Sequence, residues 1–141
     1  MTTAEHHPVL EAVVHHILPS ACAASVATFI VARLDDDGRE GNDGRDGNRF
    51  AGNAPLMLAV LEELGESRFS NLDQAEREAA LRHIETNDNP YLVHGLRMLL
   101  QLILEGGLGD PRHGGNPDGI TWRRLGLPPS GPERCLEPEN P

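Results

Sequence analysis

Apolar residues recur at helical spacing in five stretches of the chain, and glycine-rich or polar segments separate them. Between positions 8 and 18, Val9, Leu10, Val13, Val14, Ile17 and Leu18 follow an i, i+4 pattern, and Pro8 suits a first helical turn. Pro19 then breaks the chain. Ser20 stands where it can cap a second helix over 21–34, a run so apolar and so rich in small residues that it predicts the most buried helix of the fold. Asn53 caps a third helix over 55–64, which Gly65 ends. Phe69 and Leu72 lead into a fourth helix over 73–85. Its Ala75, Ala79, Ala80, Leu81 and Ile84 form an apolar side, with Arg77, Glu78 and Arg82 facing water. Asn87, Asp88, Asn89 and Pro90 supply caps and a first-turn proline for a fifth helix dominated by leucines and stopped by Gly106 and Gly107.

The segment 35–49 is built from Gly, Asp, Asn and Arg without a periodic apolar position, so it buries nothing to offset its ordering entropy and reads as a flexible connector. Its many Asp residues invite a calcium reading, but the alternation and closing Glu of an EF-hand loop are missing. Beyond Gly107, Gly, Pro, Asp and Asn recur too often for regular structure. The pattern predicts an all-α fold, a small bundle of about five helices with a long ordered Gly/Pro-rich C-terminal loop. It forms a single helical domain over 1–128, followed by a tail over 129–141.

Composition narrows the function. Only 4% of residues are aromatic, so aliphatic side chains must fill the core. A net charge of -10 repels a phosphate backbone, and the arginines are scattered among acids, so nucleic acid is not the expected partner. The apolar stretches fall short of the roughly 20 residues that cross a bilayer, and His6, His7, Glu11, His15 and His16 interrupt the first. Met1 to Glu5 lack the basic and apolar regions of a secretory signal, which predicts a cytoplasmic chain. A periplasmic one is the alternative if the chain is processed or exported with its partner. Cys22 and Cys135 lie far apart and fit no metal spacing, so two free thiols are expected, with a disulfide open only in an oxidising compartment. The four N-terminal histidines have no Cys or carboxylate at a spacing that closes a metal site, and surface roles are expected of them.

The most informative stretch is 105–127, where glycines permit tight turns while Trp122 and Leu125 offer apolar anchors. Asp110, Pro111, Gly114, Gly115, Asn116, Asp118, Trp122, Gly126, Leu127 and Pro128 together resemble the C-terminal signature of the gluconate 2-dehydrogenase subunit 3 family, small subunits of heteromeric flavin dehydrogenases acting on sugars and sugar acids. The resemblance continues upstream through Ile17-Leu18-Pro19, Phe69, Leu72, Gln74 and Arg77. His113 stands where the family pattern has Tyr, and the glycine before the Trp is displaced to Gly119.

The resemblance implies a non-catalytic companion that binds, stabilises or helps mature a large subunit of the glucose-methanol-choline (GMC) oxidoreductase type, sometimes with a cytochrome c subunit. FAD is expected in that partner, because this sequence has no strand-turn-helix glycine unit to hold a dinucleotide. No cofactor or metal is expected in this chain. Asp110, Pro111, His113, Gly114, Gly115, Asn116, Asp118, Trp122, Leu125 and Gly126 are the residues expected to shape the loop or touch the partner. Asp110, Asn116 and Asp118 are expected to bond backbone amides within their own turns. For Trp122, a core anchor and an interface residue are both open. Two rivals remain: an independent metal-assisted hydrolase using His113 with Asp110 and Asp118, and a stand-alone helical binding module.

Overall fold

A computed structural model describes residues 3–37, 53–109 and 111–127. Six α-helices and several short 3-10 turns make up the described residues, with no strand among them, so the fold is all-α. They are α1 (His7–Ile17), α2 (Ala23–Asp37), α3 (Ala54–Glu66), α4 (Gln74–Glu85), α5 (Pro90–Leu108) and α6 (Ile120–Arg124).

The chain is organised around α5, which packs along α3 and against α2 and α4, while α1 lies on α2. Leu96, Met98, Leu99, Leu102 and Ile103 of α5 meet Met57, Val60, Leu61 and Leu64 of α3 and Val26, Ile30 and Leu34 of α2 in one aliphatic cluster. Burial of this kind is the main drive for folding in a chain with few aromatics. Where α3 and α5 meet near the N-terminal part of each sits Gly95, at which a Cβ would lie only 2.4 Å from the Leu56 carbonyl oxygen. The missing side chain lets the two backbones touch.

Several boundaries differ from the sequence expectation. Among the described residues six helices stand where about five were expected, the sixth being the five-residue α6, and α5, not α2, supplies the longest series of buried positions. α2 starts at Ala23 instead of 21. Cys22, not Ser20, precedes it: the Cys22 carbonyl accepts from Val26 N–H at 3.0 Å and its thiol pairs with the Ser25 hydroxyl at 3.3 Å. That hydroxyl, with the Ser25 backbone, holds the Cys22 thiol below its ordinary pKa. Cys22 is a free thiol, while Cys135 lies outside the described residues. Positions 35–37 of the expected connector belong to the last turn of α2, which runs to Asp37. The rest of the connector, including its calcium reading, lies outside the described residues, as does the 129–141 tail.

Gly65 does not end α3, which continues to Glu66, and the turn is made by Arg68 in a left-handed conformation at φ 56. Asn53 holds the N-cap position of α3 without a capping bond from its side chain. Asp73 is a real cap of α4: its carboxylate accepts from Glu76 N–H at 2.8 Å and the Glu76 side chain returns to Asp73 N–H at 3.1 Å, a complete capping box. On α4, Ala75 and Ala79 face solvent and only Leu81 and Ile84 are buried. Arg77, expected to face water, folds back over the buried Phe69 ring at 5.4 Å and donates to the Phe69 and Ser70 carbonyls at 3.3 and 2.9 Å. α4 is further tied to α1 by His16 Nε2 and Glu78 Oε2 at 2.9 Å, with Arg82 on the other Glu78 oxygen at 3.1 Å.

Two glycines of similar composition should respond oppositely to alanine. Gly95→Ala must push α3 from α5 and is expected to lower stability by about 1–3 kcal/mol in urea unfolding. Gly65→Ala, with nothing within 4 Å of the new methyl, should raise it by about 0.5–1 kcal/mol through helix propensity. Equal effects would refute the contact reading. The His16 hydrogen bond, then Arg82, holds the Glu78 carboxyl below its usual value of 4.5. Because the folded value is the lower one, this contribution is present above pH 4.5 and is lost as acid protonates the folded carboxylate. Glu78→Gln should therefore lower stability modestly in the neutral region, leave the acid end little changed and so flatten the acid limb of a stability profile; an unaltered acid limb would refute the assignment.

Candidate functional site

Helix α5 runs on through Gly106 and Gly107 to Leu108 instead of stopping at them. Both glycines are buried seats for other side chains. A Cβ on Gly106 would meet the Phe29 ring of α2 at 2.6 Å, and one on Gly107 would meet Leu18 Cδ2 at 2.5 Å. A helix end leaves its last carbonyls without intrahelical partners, and here the following loop supplies them. Trp122 Nε1 donates to the Leu108 carbonyl at 2.8 Å, and Asn116 Nδ2 donates to the Gly109 carbonyl at 3.0 Å.

The loop expected to lack regular structure contains 3-10 turns at Pro111–His113 and Pro117–Gly119 and then α6. Its backbone lies directly on α5. Gly115 is buried with no room for a side chain, a Cβ there falling 2.5 Å from the Gly106 carbonyl oxygen. Gly114 takes φ 91 and donates to the Pro111 carbonyl at 3.2 Å, which closes the first turn. Asn116 is fully buried and joins the two halves of the loop: besides its bond to Gly109, its Oδ1 accepts from Thr121 N–H at 2.8 Å at the start of α6. The expected local Asx bond thus becomes a longer staple, reaching seven residues back and five forward.

Asp118 is exposed and left-handed at φ 53. Gly119 follows at φ 66, and the Trp122 ring lies 3.3 Å from where its Cβ would be, so glycine meets both a backbone and a packing requirement. Trp122 is 7% exposed, which makes it an anchor within this chain. Leu125 is 47% exposed, and Gly126 takes φ 79 as it turns the chain so that Leu127 N–H reaches the Trp122 carbonyl at 2.7 Å. Arg124 Nη1 donates to the Ser20 carbonyl at 3.3 Å and ties α6 to the turn before α2.

Asp110 and the His113 side chain lie outside the described residues, so of the hydrolase trio only Asp118 is placed. Among the described residues no three His, Cys, Asp or Glu side chains gather into a metal-sized group. His7 instead contacts Glu11 at 3.1 Å and the Thr28 hydroxyl at 3.1 Å, His6 is buried, and His15 is exposed. No helix among the described residues is long and apolar enough to cross a membrane. Sequence reasoning missed Thr121, which is fully buried with its hydroxyl unpartnered among the described residues, and Arg124. It also took Gly106 and Gly107 as punctuation, although Leu108 continues the apolar spacing from Leu104 and marks a helix that goes on.

Fold and site together define a small all-α protein distinguished by a glycine loop braced on its longest helix. Residues 4–129 match the family model described as gluconate 2-dehydrogenase subunit 3, and the chain belongs to that family of dehydrogenase-complex subunits. No curated protein and no solved structure matches it.

Asn116→Ala removes both arms of the staple and leaves buried groups unpaired. It is expected to cost about 1–3 kcal/mol and to raise amide exchange across 109–121 while the α3 core stays protected. Unchanged exchange in the loop would show that packing at Gly115 and Trp122 suffices without it.

Proposed function

We propose that this chain is a non-catalytic small subunit that binds a large FAD-dependent dehydrogenase of the GMC type, acting on sugars or glycosides, and stabilises it or helps it mature. Membership of the subunit 3 family over residues 4–129 carries this reading. The loop supports it as well. Asn116 and Trp122 spend their polar groups on α5 and α6, so what this segment offers outward is shape together with Leu125 and Arg123. A pre-shaped surface loses little entropy on association. Among the described residues Tyr91, Leu104 and Leu125 are the large apolar side chains left exposed, and such groups serve as contact anchors in interfaces.

The flavin is assigned to the partner because the sequence carries no glycine-rich strand-turn-helix unit. Some assemblies on this reading include a cytochrome c subunit. The chain resides in the cytoplasm, or in the periplasm where it is exported with its partner.

Affinity capture of the chain from its native host, followed by mass analysis and an absorbance spectrum, tests the reading. A much larger co-purifying subunit with flavin absorption is the expected result. Leu125→Glu should keep the helical circular dichroism of the chain while weakening recovery of that subunit about tenfold, as loss of an interface anchor does. A stable chain that emerges alone and is itself catalytically active would overturn it.

A further inference from the structure

The outward side of α5 carries a second apolar pattern that the bundle does not use. Val93, Arg97, Leu100, Leu104 and Leu108 fall within about 80° of one another around the helix axis and extend about 22 Å along it. Arg97 and Leu104 are exposed and the other three are half-buried, while Leu96, Leu99 and Ile103 fill the core from the inner side. We infer that this strip seats one amphipathic helix of the dehydrogenase subunit that the chain accompanies, with a carboxylate of that helix facing Arg97. The inference rests on the accessory-subunit reading and adds to it the surface and the kind of element that covers it.

The spacing selects a helix. Successive strip residues stand four, three, four and four positions apart, the intervals at which side chains of one helix fit between those of another. An extended segment would need free backbone groups to pair with, and the middle of α5 has spent its own on the helix. Leu104, 46% exposed at the middle of the outer edge, is the natural anchor for such a contact.

The charges select a different chain over a second copy of this one. From Pro90 to Leu104 no residue is an acid, and Glu105 at the rim is held by Arg33 at 3.4 Å. Exposed acids lie on other helices, such as Glu62 and Glu66 of α3 and Glu85 of α4. Two copies paired in parallel would set Arg97 against Arg97. Paired antiparallel about Leu100, they would press each Arg97 onto the other's Leu104 and bury two guanidinium groups without a counter-charge. Each copy would also bring a net charge of -10. A foreign helix with apolar residues and one carboxylate meets none of these costs, because the strip holds no acid to repel it and one cation to pair with it. The chain belongs to a family of dehydrogenase-complex subunits, so another subunit is available to supply that helix.

The test places the photo-crosslinking residue benzoylphenylalanine at position 104 of the full chain, with exposed position 62 on α3 as reference. The complex is captured from its native host and irradiated, and the adducts are mapped by peptide mass spectrometry. From position 104 the expected adduct joins the large flavin subunit, in a peptide with apolar residues three and four apart and a carboxylate among them; position 62 gives none. Arg97→Glu and Leu104→Lys, both at exposed positions, should keep the helical circular dichroism and each lower recovery of the flavin subunit about tenfold, whereas Glu62→Lys should leave it unchanged. Recovery of the flavin subunit with no adduct from position 104, or with both strip variants binding normally, would overturn the docking surface and leave the accessory-subunit reading standing. Capture without any flavin subunit would overturn both. An adduct to a second copy, or to the chain's own 129–141 segment, would give the strip another occupant and overturn the inference as well.

Discussion

The structure depends on how closely other chain segments approach α5. At Gly95 the α3 backbone comes within reach of where a side chain would be, at Gly106 the Phe29 ring does, at Gly107 Leu18 does, and at Gly115 the loop returns the same approach from its own side. These contacts belong to one constraint: the central helix must be bare at the points where its neighbours cross it. Dispersion falls steeply with separation, so each added methyl would cost contacts along the whole interface and not only at its own atom. Helix propensity opposes this arrangement, because glycine inside a helix costs about 0.5–1 kcal/mol relative to alanine. α5 bears that cost three times within its span, and the packing of α2, α3 and the loop offsets it.

The same helix explains why the C-terminal segment is ordered despite a composition that resembles a linker. Carbonyls at the end of α5 need donors, and Trp122 and Asn116 provide them from fourteen and seven residues downstream. Once the Asn116 Nδ2 is held, its Oδ1 is placed to accept from Thr121 at the start of α6, and Arg124 of α6 then reaches Ser20 before α2. Order therefore passes from the bundle into the loop and back to the bundle. The polar side chains of this segment act first as structural connectors.

Periodicity in the sequence revealed the existence and kind of five helices because each buries an apolar stripe, which leaves a 3.6-residue signature. It placed helix ends poorly. At Cys22, Gly65 and Gly106 the local residue type suggested one outcome while hydrogen bonding and packing imposed another. α6 was not legible, since its five residues follow two glycine turns and it is held by Asn116 and Trp122 instead of by its own periodicity. The loop was legible as a motif of residue types. Its staple was not, because the partners of Asn116 are backbone groups that any residue could supply. The placement of Arg77 was hidden for a related reason: on a helical wheel Arg77 belongs to the wet side, whereas in the fold it lies over Phe69 and bonds the carbonyls of Phe69 and Ser70.

A subunit whose distinctive loop is stapled internally is suited to a particular kind of work. Asn116 and Trp122 direct their polar groups to backbone partners inside the chain. The loop instead holds a fixed relief, with Leu125 exposed beside it and Arg124 committed to the bundle. Fixing that relief in advance moves the ordering cost from association into folding, where the α5 core offsets it. On the proposed accessory-subunit reading, a surface fixed in this way would be ready before a partner arrives, with its ordering cost already met by the chain's own core.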